Sequence, residues 1–247
     1  MIGANTAWPE ILEFASAEVA WARAHGVAFT EADGTLGEAY ALAALGEIDA
    51  ALARITSVEA MFGALPSVVG QAGEALLLEA QIRQDAGELD EALELRTRAI
   101  ETFAAAGEPR WEATARTAQA HSLIDVGRID EASASLARLA DDPHVRGSRR
   151  LRVFIGQARA ALAEGRPDDA RRIAGDVQRD LDEHALNDAQ GIRVHEALGL
   201  IYRDLGQPDL ASANLQAALR AATSKDDRVS RERLERRLEQ PGAPIRR

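Results

Sequence analysis

The chain has 247 residues, 46% of them hydrophobic but only 4% aromatic, and it carries a formal net charge of −11. Alanine and leucine dominate and β-branched residues are sparse, a mix that favours helices over strands. The absence of cysteine excludes disulfides, thiolate metal sites and cysteine nucleophiles, and suits a reducing, cytoplasmic setting. The acidic balance argues against direct nucleic-acid binding, which needs a basic surface. The N-terminal residues lack the basic start and uninterrupted apolar run of a secretion signal, and no stretch reaches the ~20 apolar residues that span a bilayer.

In chain order, the first predicted element is a helix over residues 8–25, with Ile11, Leu12, Phe14, Ala15, Val19, Trp21 and Ala22 on its apolar side and no clear partner turn. Burial of that side, around Trp8, Phe14 and Trp21, against the first hairpin is the simplest expectation, and pairing into a weak homodimer is the alternative to a monomer. From there one turn is written five times: GEIDAA from Gly46, GELDEA from Gly87, GRIDEA from Gly127, GRPDDA from Gly165 and GQPDLA from Gly206. The glycines are 41, 40, 38 and 41 residues apart, a period that marks a repeat array in which each unit buries its apolar face against its neighbours.

Each copy predicts a helical hairpin. Glycine stops the first helix in a left-handed turn, Pro or Asp suits the first turn of the second helix by capping or by complementing its dipole, and the following alanine lets the two helices touch. Thr35 with Glu38, and Asn187 with Gln190, have capping-box spacing and predict helix starts ahead of Gly46 and Gly206. Ile192, Leu198, Ile201, Tyr202 and Leu205 share one helical face before Gly206, and Leu210, Ala211, Leu215, Ala218 and Leu219 continue at helical spacing after it.

The last element, DRVSRERLERRLE over residues 227–239, has only Val229, Leu234 and Leu238 on its apolar side and suits a terminal cap with a polar outer face. Residues 225–247 hold eight Lys or Arg against five Asp or Glu, a mildly basic end on an acidic body. The predicted organisation is a single domain: a helix and lead-in over 8–34, five hairpins over 35–223, a capping helix over 224–240 and a tail over 241–247. The end of that tail leaves open that the chain is a piece of a longer protein.

Residues 197–219, ALGLIYRDLGQPDLASANLQAAL, resemble the tetratricopeptide repeat, with Leu198, Gly199, Tyr202, Ala211, Leu215 and Ala218 on its motif positions. The other copies keep the turn and its alanines but depart elsewhere: Arg83 stands where a tyrosine-like residue belongs, and no copy has the motif's tryptophan. The spacing near 40 resembles the degenerate repeats of large bacterial transcriptional activators and caspase-like CHAT proteins, and residues 99–127 have their character. The resemblance covers about residues 35–223 and implies an all-α, right-handed α-α superhelix of about five hairpins with terminal capping helices.

Chemistry is hard to find in the chain. There is no phosphate-binding glycine loop and no nucleophile elbow. His195-Glu196 begins a zinc-protease motif, but Gly199 stands where the second ligand belongs. The five histidines, at 25, 121, 144, 184 and 195, form no i, i+4 pair. Adjacent carboxylates such as Asp168-Asp169 read as helix starts. No enzyme activity, metal or cofactor is expected.

The resemblance implies instead a concave face lined by the first helix of each hairpin. It projects onto Glu74, Leu77, Gln81, Gln84 and Asp85; Thr114, Thr117, His121, Ile124 and Asp125; Arg152, Ile155, Arg159, Leu162 and Ala163; and Arg193, Glu196, Leu200, Arg203 and Asp204. Of these, Gln81, Gln84, Thr117, His121, Arg152, Arg159, Arg193 and Arg203 are the candidate partner-binding residues. Four arginines on one face of an acidic protein, with Arg149 and Arg150 at its edge, point to capture of an acidic peptide, a free carboxylate or a partner helix. The opposing expectation is that they pair with carboxylates of neighbouring repeats. A regulatory sensor domain gating a caspase-like or DNA-binding effector is a second reading, and a small-molecule binder a third. No membrane partner is expected.

Overall fold

The computed structural model describes residues 6–62, 69–183, 186 and 188–239. Among them run twelve helices: α1 (Trp8–His25), α2 (Ala28–Leu45), α3 (Ile48–Phe62), α4 (Val69–Asp85), α5 (Leu89–Ala106), α6 (Pro109–Asp125), α7 (Ile129–Ala140), α8 (Ser148–Ala163), α9 (Pro167–Glu183), α10 (Asp188–Asp204), α11 (Pro208–Ser224) and α12 (Arg228–Glu239). No described helix is long and apolar enough to cross a membrane.

The five repeated glycines are the hairpin turns, each left-handed with φ between +69° and +87°. At the first, Gly46 N donates to Ala43 O at 3.2 Å and Glu47 N to Leu42 O at 2.9 Å. Those two bonds satisfy the last carbonyls of α2 as a Schellman turn does. The residue after each glycine repeats the second bond, as Glu88 to Arg83, Arg128 to Leu123, Arg166 to Ala161 and Gln207 to Tyr202. The second helices start differently from expectation. Glu88, Arg128 and Gln207 occupy the N-cap positions of α5, α7 and α11 without a side-chain cap bond. Asp90, Asp130 and Asp209 lie inside the first turn, where a negative charge complements the dipole.

Further left-handed residues at Gly26, Gly107, Gly147 and Asp226 show that the 40-residue period is built of steps of roughly 20. Gly26 corrects the reading of the N-terminus. It closes α1 with Val27 N donating to Ala22 O at 3.0 Å, so α1 and α2 form a hairpin of their own. The capping-box reading of Thr35 and Glu38 is corrected with it. Because α2 already begins at Ala28, both lie inside that helix: the Thr35 hydroxyl donates to Glu31 O, and Glu38 accepts from Ser16 and pairs with Arg54. Asn187 lies outside the described residues.

The core is a row of small clusters, each shared by neighbouring helices. Leu36, Ile55, Val58 and Leu78 join α2, α3 and α4. Leu76, Leu95, Ile100 and Phe103 join α4 to α5 with Ala115 of α6, and Leu136, Leu139 and Val153 join α7 to α8. Leu151, Val177, Leu198 and Tyr202 continue the row through α8, α9 and α10, and Leu215 and Leu234 end it on α11 and α12. Small residues set the helix spacing. A Cβ at Gly73 would lie 2.4 Å from the Phe103 ring, so the ring occupies the room that the glycine leaves.

The N-terminal end departs from expectation. Helix α1 buries Ala15, Val19 and Ala22, whereas Phe14 and Trp21 are 47% and 53% exposed, because the small residues allow the closer approach to α2. Helix α12 caps α11 as expected, with Arg228, Glu232, Glu235, Arg236 and Glu239 exposed on its outer side, and it also reaches the first hairpin. Leu234 is fully buried on α11, Val229 lies against the α2–α3 turn at Gly46, and α12 packs on α2 as well as α11. Alongside it, Trp8 N donates to Lys225 O at 2.8 Å, and Lys225 Nζ donates to Thr6 O at 2.7 Å. The superhelix therefore closes: its last helix latches onto its first hairpin.

Candidate functional site

The first helices of successive hairpins lie side by side, and residues about 40 apart in sequence meet on their shared face. Gln84 of α4 donates to Asp125 of α6 at 2.6 Å, and Asp125 accepts from Arg159 of α8 at 2.5 Å. Arg159 also donates to His121 Nδ1 at 3.1 Å, while His121 Nε2 donates to Arg152 O at 3.0 Å. These partners set the imidazole tautomer, with its proton on Nε2. Burial holds the His121 pKa well below the usual imidazole value, and the charges of Arg159 and Arg152 push it further down, so the ring is neutral at pH 7.

Arg96 enters this network from α5. Its Nη2 donates to Gln84 Oε1 at 2.5 Å, while its Nε and Nη1 are buried without a hydrogen-bond partner. Burial pulls the Arg96 and Arg152 guanidinium groups down to about 10 each. The charge of Arg193 acts in the same direction on both. Among the described residues, neither Arg152 nor Arg193 forms an ion pair with a carboxylate.

Of the eight candidate partner-binding residues, Gln84, His121, Arg152 and Arg159 are joined in the network, and Arg193 is exposed beside it. Gln81 bonds within its own helix to Asp85. Thr117 is a correction: it is buried, and its hydroxyl donates to Ala113 O, so it offers nothing to a partner. Ile155, projected onto the same face, belongs to the core. Arg203 is half-buried with Nε unpartnered, and its charge reaches Arg237 of α12. The opposing expectation of internal pairing holds for Arg159 and not for Arg152 or Arg193.

Three residues escaped the sequence reading. Arg96 lies on a second helix, outside the first-helix rows, yet its position among Ala92, Leu95, Ala99, Ile100 and Phe103 makes it a charge within an apolar stripe. Arg233 and Arg237 come from α12 and hold Glu196, 8% exposed, at 2.8 and 3.2 Å. Arg233 also lies 3.9 Å from Asp85. This lip of the face is thus occupied by the protein's own helix.

Glu74 gives the face a pH dependence. Burial, reinforced by the charge of Asp33, raises its pKa to about 7. In the unfolded chain it ionises near 4.5, so between about 4.5 and 7 the folded state binds the extra proton and stability falls as pH rises. Glu74→Gln should therefore melt higher than wild type at pH 8, with the gap closing by pH 4.5. Parallel thermal melts at the two pH values measure it.

No family model matches the chain, and no curated protein sequence matches it. Solved structures do. BtubC (BKLC) from P. vanneervenii is 16% identical over 90% of this chain and 93% of its own, with a TM-score of 0.62. A Rap protein complexed with Competence and Sporulation Factor is 13% identical over 86% of this chain, which spans 58% of the Rap chain, at a TM-score of 0.63. PilF of Pseudomonas aeruginosa is 16% identical over 86% of this chain and 93% of its own, at 0.52. The fold is a tetratricopeptide-like superhelical solenoid. At these identities the likeness is one of fold.

Proposed function

We propose that the chain is a protein-interaction module whose concave face captures an acidic peptide segment or a partner's carboxylate, and that its helices act as one unit in the cytoplasm. The observation that carries the reading is the pairing pattern: Arg159 is satisfied by Asp125, while among the described residues Arg152 and Arg193 form no ion pair with a carboxylate. Guanidinium groups left in that state bind an incoming carboxylate with bidentate geometry. The solenoid fold supports it, as does the Rap protein of like fold held in complex with a factor.

The test is Arg152→Ala with Arg193→Glu. Affinity purification from the native cell should recover an acidic partner with wild type and lose at least ten-fold of it with the double variant, while melting shifts by no more than a few degrees. Equal recovery by the two proteins sinks the reading. Arg159 stays wild type, since its bonds to Asp125 and His121 are structural.

A second reading, a sensor that signals by a change in superhelical curvature, is favoured by the latch between the two ends. Any opening of the superhelix has to break the Lys225–Thr6 and Arg233–Asp85 contacts.

A further inference from the structure

We propose that Arg96, Arg152 and Arg193 form an oxyanion site that takes a phosphate group. Arg96 is the floor: it is 3% exposed, one of its nitrogens meets Gln84, and the other two are buried with no partner. An ionised guanidinium left in that condition is costly unless an anion or ordered solvent meets it. Arg152 is half-buried, with its backbone carbonyl accepting from His121 in the same network, Arg193 is exposed, and the charges of Arg96, Arg152 and Arg193 act on one another.

Most of the nearby carboxylates are engaged elsewhere: Asp227 accepts from Ser230 N, and Glu74, its pKa raised to about 7, is only partly ionised at neutral pH. Asp125 is bonded to Arg159 and Gln84, Glu196 to Arg233 and Arg237, and Asp85 accepts from Gln81 and faces Arg233. Three positive charges thus lie together, none of them in an ion pair among the described residues. One carboxylate neutralises one of them. A phosphate monoester brings a charge of roughly −1.5 to −2 and three acceptor oxygens, a closer match to three guanidinium groups. The ligand is free inorganic phosphate or the terminal phosphate of a small phosphomonoester. The site shares Arg152 and Arg193 with the groove reading but needs no protein partner.

The experiment uses the full chain in phosphate-free buffer at constant ionic strength, titrated by calorimetry and followed by thermal melting. The probes are inorganic phosphate, a sugar monophosphate and, as control, chloride. Wild type should bind one equivalent and melt several degrees higher at saturation, and Arg193→Met should weaken binding at least ten-fold. Arg96→Met is the discriminating variant. Removing an unpaired buried charge should leave its melting temperature equal to or above wild type without phosphate, while abolishing the phosphate response. Tighter binding of the sugar monophosphate assigns the site to an ester, and equal or weaker binding assigns it to the free ion. A wild type that does not respond to phosphate overturns the proposal, as does a response matched by chloride or retained in Arg96→Met. Because Arg96→Met leaves the exposed groove arginines in place, partner capture by that variant reports on the groove reading separately.

Discussion

Phe103→Ala should destabilise the protein by about 3–5 kcal/mol, lowering the melting temperature by roughly 10 °C. The ring is fully buried, fills the space over Gly73, and packs with Leu76, Leu95, Ile100 and Ala115 while stacking on Trp111 at 5.8 Å between centroids. Truncation opens a cavity where α4, α5 and α6 meet, and the turn bonds at Gly87 and Gly107 restrain the helices from collapsing into it. Away from the contact between the two ends, each unit packs on its neighbours, so the damage should be local. Hydrogen exchange should therefore show protection lost first in α4 to α6, with α8 to α11 affected last. Gly73→Ala makes the converse test by overpacking the same site, with an expected loss of about 1–3 kcal/mol. A Phe103→Ala protein that melts within two degrees of wild type would refute the assignment of this ring as the centre of its cluster.

The second large effect is expected at the latch. Glu196→Ala removes the carboxylate that accepts from Arg233 at 2.8 and 3.0 Å and faces Arg237 at 3.2 Å. Removing one partner of a mostly buried pair strands the other charge, at a cost of about 3–5 kcal/mol. Here two arginines lose their nearest carboxylate, with Asp85 at 3.9 Å and the charge of Asp227 left beside Arg233. Exchange protection should fall specifically in α12 and in the Trp8–Lys225 contact, leaving the middle hairpins unchanged. Adding Arg233→Met and Arg237→Met to Glu196→Ala should recover most of the loss, because no buried charge then remains unpaired. Failure of that recovery would assign the effect to α10 packing instead of the ion pairs.

The hairpin turns were legible because their cause is local. A glycine with positive φ, the Schellman bonds around it and an acidic first turn all lie within about six residues, so GELDEA and its copies carry the information themselves. Gly26 and Gly107 make the same kind of turn, yet VAF and EPR follow them in place of the Asp-Ala signature, so the 20-residue step stayed hidden under the 40-residue one. Thr35 and Glu38 misled for the same reason: their spacing is that of a capping box, and only the turn at Gly26 reveals that the helix has already begun. On the shared face of the first helices, the register brings Gln84, His121, Arg152 and Arg159 together, whereas Arg96 lies on a helix that the register does not count.

By itself the sequence determined that this protein is an all-helical array and where the five repeated turns fall. Those properties follow from residue propensity, from glycine's freedom at positive φ and from the spacing of apolar positions. The tertiary structure alone decided which arginines are spent and which are free, and where α12 lies. Gln84 reaches Asp125 across 41 residues, Arg159 reaches Asp125 across 34, and Arg233 reaches Glu196 across 37. Such pairings depend on the rotation from one hairpin to the next, which is set by the sizes of side chains packed between helices and is written in no single repeat.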